Sequence, residues 1–244
     1  MSDDPFLYHP GLRDLIIDPA HSAFRQLTTA SVRERVEAKG YSTAWLRTDA
    51  EREALRHAFL ADWPGDMWIF AYGSLMWDPG IHFTQVRRAH MPGYARRFIL
   101  RDVNGGRGTP EAPGLMAALD HGVEGCDGLA FRIDAAQVDA ETAVLWQREM
   151  IGAGYIPIVA PAQTEAGTIR CVTFLADHAA DSIVAGLSRA EQVRCLATGE
   201  GFLGTSLDYL RGIHRHFAAL RIEDPHVSGL LAEAEALAAH LAAK

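Results

Sequence analysis

The sequence predicts an α+β fold, with a small mixed or antiparallel sheet that curls like a β-barrel and is packed by helices. Short apolar runs separated by Gly and Pro fill residues 66–180, a pattern typical of strands. Helix-capping patterns occur before and after this region, and the order helices, strands, helices fits α+β better than alternating βαβ units. We therefore expect a helical N-terminal extension over residues 1–65, then one domain over residues 66–244 that includes a helical C-terminal segment.

The N-terminal extension contains one well-marked helix. Thr48 followed by Glu51 has the capping-box pattern, in which the hydroxyl and the carboxylate satisfy each other's backbone N–H groups. Leu55 and Phe59 follow at i, i+4 spacing, which predicts that they form one apolar face of the helix. A Trp-Pro-Gly turn ends the helix, and no pattern in this extension indicates chemistry.

The first predicted strand leads into a loop that is a candidate binding site. The apolar residues 68–71 run into Tyr72, Gly73 and Ser74, and an Asp-Pro-Gly turn then stops the segment at 78–80. A short apolar run closed by turn residues predicts a buried strand that opens into a loop. Glycine permits close approach of a ligand to the backbone, and successive inward N–H groups form an anion-binding concavity. An ordinary tight turn is the alternative.

The remaining elements follow in order. Further strands are predicted over residues 86–94, 95–100, 115–119, 126–133, 155–159 and 169–175, with a Gly- and Pro-rich loop at 104–114. Asp134 is expected to cap a helix that carries residues 144–150. Ser188 with Glu191 predicts a second capping box, and a further helix should cover residues 206–220. Asp224 and Pro225 suit the N-cap and first turn of a final helix.

The composition is that of a globular protein with a sizeable core. Of the 244 residues, 48% are hydrophobic and 22% are charged. The net charge of −8 argues against a nucleic-acid partner, because such proteins normally carry a basic surface. One local basic cluster is too small to alter this conclusion, although it suits an anionic small molecule. It consists of Arg96, Arg97, Arg101 and Arg107.

Cysteine usage and the chain start predict a cytoplasmic location. Cys126, Cys171 and Cys195 are far apart and form no C-x-x-C pair, so we expect reduced thiols in the core. Residues 1–5 are acidic and lack the basic and apolar regions of a secretory signal. No apolar run is long enough to span a bilayer, so no membrane partner is expected. The sequence does not indicate an oligomeric state.

Several familiar sites are absent from the sequence. The eleven histidines form no H-E-x-x-H motif or zinc-type Cys/His spacing, so no metal is expected. His214 and His216 lie two apart on a predicted helix and point in different directions. The Gly-rich stretch at 104–108 lacks the ending of a P-loop, and no G-x-G-x-x-G joins a strand to a helix. Ser74 does not stand in a G-x-S-x-G elbow.

One carboxylate is a candidate for proton transfer. Glu149 ends an apolar helix, next to Met150 and one turn after Trp146. Burial among apolar groups raises the pKa of a carboxyl group toward neutrality, and the C-terminal end of a helix dipole acts in the same direction. The alternative is a helix-end glutamate that pairs with Arg148 or with solvent.

Several motifs form a pattern along the chain. They are Phe70-Ala71-Tyr72-Gly73-Ser74-Leu75-Met76-Trp77, the Gly-Thr-Pro loop at 108–114, Leu145-Trp146-Gln147-Arg148-Glu149-Met150 followed by Gly152 and Tyr155, Ala197-Thr198-Gly199 with residues 204–210, and residues 222–227. In this order and spacing they resemble the ChaC-type γ-glutamylcyclotransferase family of bacterial type. The resemblance covers residues 66–232 and implies a γ-glutamylcyclotransferase-like fold, with residues 66–244 as the catalytic domain.

The resemblance also implies a reaction. Members of the family cleave glutathione to 5-oxoproline and cysteinylglycine without metal or organic cofactor, by attack of the substrate's own α-amine on its γ-carbonyl. Glu149 takes the position of the family's catalytic glutamate, as general base and acid. Residues of the substrate-binding loop are Tyr72, Gly73, Ser74, Leu75, Met76 and Trp77. Tyr209 is a further expected contact or else a core tyrosine, and Arg107 is a weaker candidate for the glycine carboxylate.

This sequence departs from the family pattern in two places, which puts the peptide-side contacts in doubt. Gly106 stands where many relatives carry His, and Asp127 stands where Trp is common. Two other readings therefore remain open. One is a cyclotransferase for other γ-glutamyl amino acids or γ-glutamylamines. The other is a non-catalytic protein that senses γ-glutamyl peptides, although the retained Glu149 argues against it.

Overall fold

The computed structural model of the protein describes residues 4–243. The first three residues of the acidic N-terminal segment lie outside the described residues, as does residue 244. Within the described range there are nine strands: β1 (Met67–Ala71), β2 (Gln85–Met91), β3 (Tyr94–Asp102), β4 (Gly114–His121), β5 (Cys126–Ile133), β6 (Tyr155–Thr164), β7 (Gly167–Ala176), β8 (Glu200–Gly201) and β9 (Gly204–Thr205). Six α-helices accompany them: α1 (Thr29–Glu37), α2 (Asp49–Leu60), α3 (Val138–Glu149), α4 (Arg189–Thr198), α5 (Ser206–Leu220) and α6 (Pro225–Ala242).

Five strands close into a barrel. Their order around the ring is β1, β5, β2, β6 and β7, and β7 pairs with β1 again. The closing pair is parallel, with Trp68 opposite Cys171 and Ile69 opposite Val172, whereas the other pairs in the ring are antiparallel. Strands β4 and β3 extend from β7 as a flap outside the ring. The predicted α+β fold with a barrel-like mixed sheet is therefore confirmed.

Apolar side chains explain why the ring holds together. Met67, Ile69 and Phe70 of β1 have no exposed surface, nor does Phe131 of β5. Burying one such side chain contributes about 1.5–3 kcal/mol relative to leaving it in water. β1 is buried almost throughout because it lies between two other strands of the ring and shares one apolar core with residues of α3 and α5. The run of apolar residues before Tyr72 therefore forms a central strand, and the loop that follows begins from a rigid element.

Helix starts follow the predicted caps in most cases. Thr48 with Glu51 and Ser188 with Glu191 both form complete capping boxes. The Asp224 carboxylate accepts from the backbone N–H of Val227 at 3.0 Å, which starts α6. Asp134 was predicted to cap the helix before residues 144–150, and this is wrong. A 3-10 turn precedes α3, the Asp134 side chain makes no cap bond, and it accepts instead from the hydroxyl of Thr84 at 3.2 Å.

The buried face of α2 differs from the prediction. Leu55 is 42% exposed, whereas Arg52 and Arg56 are buried. The reason is that α2 lies on a polar side of α3, where Arg56 donates to the Asp139 carboxylate at 2.8 Å and to the Thr142 hydroxyl at 3.1 Å. Buried arginines are stable only when such partners satisfy their N–H groups. Of the predicted apolar pair, Phe59 alone contacts the core.

Two further findings concern the cysteines and the helices. The three cysteines are free and buried, as the sequence predicts. Within residues 4–243, no helix combines the length and the apolar character that crossing a membrane requires.

Candidate active site

The turn after β1 carries unpaired backbone donors. The chain leaves the strand at Ala71 and forms a 3-10 turn over Ser74–Met76. The N–H groups of Gly73, Ser74 and Leu75 have no hydrogen-bond acceptor among residues 4–243. Successive free N–H groups of this kind form an anion-binding concavity. We call the turn over residues 72–77 the nest loop.

A buried arginine fixes the orientation of the nest loop. Arg96 donates from Nε to the carbonyl oxygen of Tyr72 at 2.7 Å, and its guanidinium lies over the Phe217 ring, 4.4 Å from the centroid. The Asp224 carboxylate pairs with the same guanidinium at 3.3 Å. In a trans peptide group the C=O and the next N–H point in opposite directions. Holding the Tyr72 carbonyl therefore turns the Gly73 N–H to the other side of the chain.

Gly73 is required by a close approach. A Cβ atom added at this position would lie 2.6 Å from the Tyr209 hydroxyl oxygen. Tyr209 is itself held, because its hydroxyl accepts from the backbone N–H of Ala117 at 3.3 Å and its ring packs edge-on against Trp77. Any side chain at position 73 therefore has to displace Tyr209 or the loop.

Glu149 is the last residue of α3, and its side chain is 14% exposed. The Arg148 Nε atom lies 2.9 Å from Glu149 Oε1. Burial raises the pKa of the Glu149 carboxyl above its ordinary value, while the charge and hydrogen bond of Arg148 act in the opposite direction. The direction agrees with the prediction from the sequence, and pairing with Arg148 is present as well.

Arg148 joins the nest loop to Glu149. The same guanidinium that pairs with Glu149 donates from Nη2 to the Ser74 Oγ atom at 2.8 Å, and from Nη1 to the carbonyl oxygen of Asp78. The Arg148 side chain is 5% exposed. One rigid, planar group therefore sets the position of the carboxylate relative to the loop.

Three tyrosines lie around this arrangement, of which Tyr72 and Tyr209 are buried and Tyr155 is partly buried. Burial raises the pKa of Tyr209 to about 12 and the pKa values of Tyr72 and Tyr155 well above the ordinary value for tyrosine. The negative charge of Glu149 adds to the upward shift in all three. Tyr72 donates its hydroxyl to the carbonyl oxygen of Phe174 at 2.9 Å. All three phenols are therefore neutral near pH 7 and remain hydrogen-bond donors.

Arg107 approaches the site from the Gly-rich loop. Its backbone N–H donates to the Asp102 carboxylate, and its carbonyl oxygen accepts from the Ser206 hydroxyl at 3.2 Å. The guanidinium lies 5.2 Å from the ring centroid of Tyr209 and donates to the carbonyl oxygen of Thr205 at 3.1 Å. No carboxylate of residues 4–243 lies within salt-bridge distance of it. Burial lowers the pKa of Arg107, which nevertheless remains charged.

The other predicted residues occupy different places. Leu75 and Met76 point into the core, with 5% and 0% exposure, so only their backbone belongs to the nest loop. The basic cluster is dispersed, because Arg96 is internal and Arg97 pairs with Glu124 at 2.7 Å on the surface. The structure brings Gly73, Ser74, Glu149 and Tyr209 into one region, whereas it separates the arginines of the predicted basic cluster.

Sequence reasoning missed two groups of this site. Arg148 was considered only as a partner of Glu149, and no local sequence pattern indicates its contact with Ser74. Phe24 of the N-terminal extension lies against the face of the Arg148 guanidinium, with 3.7 Å from Cζ to the ring centroid. A lone phenylalanine in a 3-10 turn carries no signal that would have identified it.

Comparison with known proteins decides the family. The model of the family described as "ChaC-like protein" matches residues 67–237. The chain belongs to the ChaC-like family. A glutathione-specific γ-glutamylcyclotransferase of Escherichia coli (strain K12) is 33% identical over 192 residues, which are 78% of this chain and 82% of that protein. A protein of the same name from Schizosaccharomyces pombe is 29% identical, over 69% of this chain and 92% of the relative.

Solved structures support the ChaC-like fold. A crystal structure of a γ-glutamyl cyclotransferase specific to glutathione from yeast superposes with a TM-score of 0.65 and 19% identity. It covers 70% of this chain and 96% of the yeast chain. The ChaC-like match contains the nest loop, Arg107, Glu149 and Tyr209, whereas Phe24 precedes its first residue.

Proposed function

We propose that this ChaC-like protein cleaves glutathione to 5-oxoproline and cysteinylglycine, as a glutathione-specific γ-glutamylcyclotransferase of the lyase class. The names of its relatives support the substrate. The main structural support for the reaction is that the Arg148 guanidinium links the buried Glu149 carboxylate to the nest loop and its free N–H groups. This pairing offers a proton acceptor next to an anion-binding concavity, and the reaction needs both.

The proposed reaction is an internal transfer. The substrate's α-amine loses a proton and attacks its own γ-carbonyl carbon, so a new C–N bond closes a five-membered ring. The bond from that carbon to the cysteine nitrogen then breaks, and the departing amine takes up a proton. Oriented attack within one molecule contributes on the order of 7–11 kcal/mol to lowering the barrier. The protein therefore has to hold the folded conformer and move the proton, and neither a cofactor nor a nucleic acid is needed.

The nest loop is proposed to hold the anionic end of the γ-glutamyl group. Free N–H groups at Gly73, Ser74 and Leu75 suit its α-carboxylate, or the oxyanion that forms at the γ-carbonyl. The Ser74 Oγ atom accepts from Arg148, so the hydroxyl hydrogen is left to donate to substrate. In this role Ser74 is a binding group and not a nucleophile.

Glu149 is proposed to carry the proton. Its ionised form accepts a proton from the substrate ammonium, and the resulting acid passes it to the leaving nitrogen. The second proton, which the attacking nitrogen loses as the lactam forms, follows the same route, so that cysteinylglycine leaves as an ammonium. A pKa raised by burial brings both forms closer in energy near neutrality, which suits a group that acts as base and then as acid. Tyr209 is proposed to contact the substrate through its protonated hydroxyl.

Arg107 is proposed to bind the glycine carboxylate of glutathione, because it is a half-buried cation with no carboxylate partner in residues 4–243. We expect Arg107→Met to raise KM for glutathione by about tenfold or more, since a charge-assisted hydrogen bond contributes about 1.5–3 kcal/mol. Glutathione amidated at glycine serves as the matched substrate, because it lacks the carboxylate. Equal losses with both substrates would contradict this role.

The test of the proposed function is a product assay. Purified protein is incubated with glutathione, γ-Glu-Ala and γ-glutamyl-lysine, and 5-oxoproline is measured for each. We expect release from glutathione to exceed release from the other two. Preference for γ-Glu-Ala or γ-glutamyl-lysine would move the assignment to another γ-glutamyl substrate class, and binding of glutathione without release would indicate a sensor.

We also propose that the protein acts in the cytoplasm. Support comes from the three buried cysteines, which are all unpaired, as is usual where thiols are kept reduced. Fractionation of cells with an antibody against the protein would test this location.

A further inference from the structure

The N-terminal extension reaches the proposed active site at one side chain. Phe24 lies in a 3-10 turn over Ala23–Gln26, and its ring covers one face of the Arg148 guanidinium at 3.7 Å. A cation over an aromatic face is attracted to the ring, and the attraction is stronger where water is excluded. The Arg148 side chain is 5% exposed and Phe24 is partly buried, so little water reaches the guanidinium.

The turn that carries Phe24 is itself fixed against the segment after the nest loop. Arg25 donates to the carbonyl oxygen of Gly80 at 3.0 Å and pairs with the Glu141 carboxylate at 2.5 Å. Glu141, on α3, also accepts from the backbone N–H of His82 at 2.8 Å. Gly80 has a φ of +66°, and a Cβ there would lie 3.5 Å from the Phe24 Cβ. The ring therefore has little freedom to leave Arg148.

Other contacts tie the same extension to the nest loop. The N–H of Ile17 donates to the carbonyl oxygen of Trp77 at 2.7 Å. The buried His216 ring lies 3.1 Å from the carbonyl oxygen of Leu15 and packs against Trp77. The extension thus contacts the nest loop at Trp77 as well as Arg148 itself.

We propose that Phe24 is a positioning residue for the reaction: its ring holds the Arg148 guanidinium in the one orientation that contacts Glu149 and Ser74 together. The proposal rests on the proposed function of Glu149 and Ser74. Arg148 uses its edge for these hydrogen bonds, and a planar group held by its edge alone can still tilt. The Phe24 ring restricts this tilt from the face. Phe24 touches no reacting atom in this account and acts through Arg148.

The test uses Phe24→Leu, with Phe24→Trp as the conservative variant and Phe59→Leu as the matched control. Leucine keeps apolar volume but lacks an aromatic face, whereas tryptophan keeps the face. Phe59 packs from α2 onto Trp146 of α3, with ring centroids 5.3 Å apart, so its replacement removes an aromatic contact between the extension and the same helix without involving Arg148. Circular dichroism first establishes that each variant is folded under the assay conditions. If Phe24→Leu does not fold, Phe24→Met takes its place.

We expect Phe24→Leu to lower kcat/KM for glutathione by about tenfold, with Phe24→Trp within threefold of wild type. The acid limb of the pH profile should move to higher pH in Phe24→Leu, because a loosely held Arg148 stabilises the Glu149 carboxylate less. Phe59→Leu should lower Tm and leave kcat/KM and the acid limb unchanged. The proposal is wrong if Phe24→Leu behaves like Phe59→Leu in both readouts.

A second measurement separates this proposal from the proposed function. Carbon-13 NMR of glutamate side chains, with the Glu149 signal assigned through Glu149→Gln, reports the titration of Glu149 without turnover. We expect a higher pKa for Glu149 in Phe24→Leu than in wild type or Phe59→Leu. If wild type releases no 5-oxoproline from any γ-glutamyl compound, the proposed function fails, and an unchanged titration midpoint in Phe24→Leu would still refute the role of Phe24.

Discussion

Replacing Glu149 by Gln is expected to lower kcat for 5-oxoproline release by about a thousandfold, within the range that general acid–base catalysis contributes. The amide is similar in size and keeps an oxygen that accepts from Arg148, so the link to Ser74 survives. Glutathione should therefore bind within a few-fold of the wild-type Kd, measured by calorimetry. Turnover near the wild-type rate would refute the catalytic assignment.

The same carboxylate sets the expected pH dependence. The base must be ionised to accept a proton, and burial raises its pKa, so kcat/KM should fall as the pH drops through a value above the ordinary range for glutamate. In Glu149→Gln the residual rate should lack this acid limb. Replacing the adjacent Gln147, which is outside the proposed machinery, by Glu provides a control for an added carboxylate on the same helix.

Replacing Gly73 by Ala is expected to lower kcat/KM by about a hundredfold. The added methyl group would lie 2.6 Å from the Tyr209 hydroxyl oxygen, and real Cβ atoms do not approach other atoms so closely. Either the nest loop or the tyrosine has to move, which misplaces the free N–H groups or a proposed substrate contact. Steady-state kinetics with glutathione would measure the loss.

A double substitution makes this prediction specific. In Gly73→Ala with Tyr209→Phe, the nearest remaining contact is the Tyr209 Cζ position at 3.7 Å, an ordinary distance. The double variant should therefore be more active than Gly73→Ala alone, with a coupling larger than about 0.5 kcal/mol. Gly186→Ala serves as the matched control, because a Cβ there meets nothing within 4 Å. Additive losses would show that the clash is not the cause.

Local patterns were sufficient to predict most elements. The caps at Thr48, Ser188 and Asp224 were predicted correctly because a helix start depends on residues three positions apart. The strand before Tyr72 was predicted correctly because its apolar run is bounded by turn residues. Glu149 was identified by its place at the end of an apolar helix, and the resemblance supplied its proposed role.

The failures share one physical cause, since each concerns a partner far away in sequence. Leu55 was expected to be buried on periodicity alone, but the surface that α2 meets is polar, so Arg56 is buried there instead. The contact between Arg148 and Ser74 joins residues 74 positions apart. The contact between Phe24 and Arg148 spans an even longer distance along the chain. Such contacts are set by the assembled fold, which no local window contains.

The parallel closure of the barrel has a consequence for how the protein acquires its shape. Trp68 in β1 meets Cys171 in β7, more than a hundred residues later. Pairings this distant form slowly, because a large entropy loss precedes any gain from contact. The Tyr72 hydroxyl contact to Phe174 belongs to the same late event. In a chain that is still being synthesised, the helices and hairpins should therefore form well before the residues of the proposed active site come together. Recovery of activity during refolding should lag behind recovery of helical content.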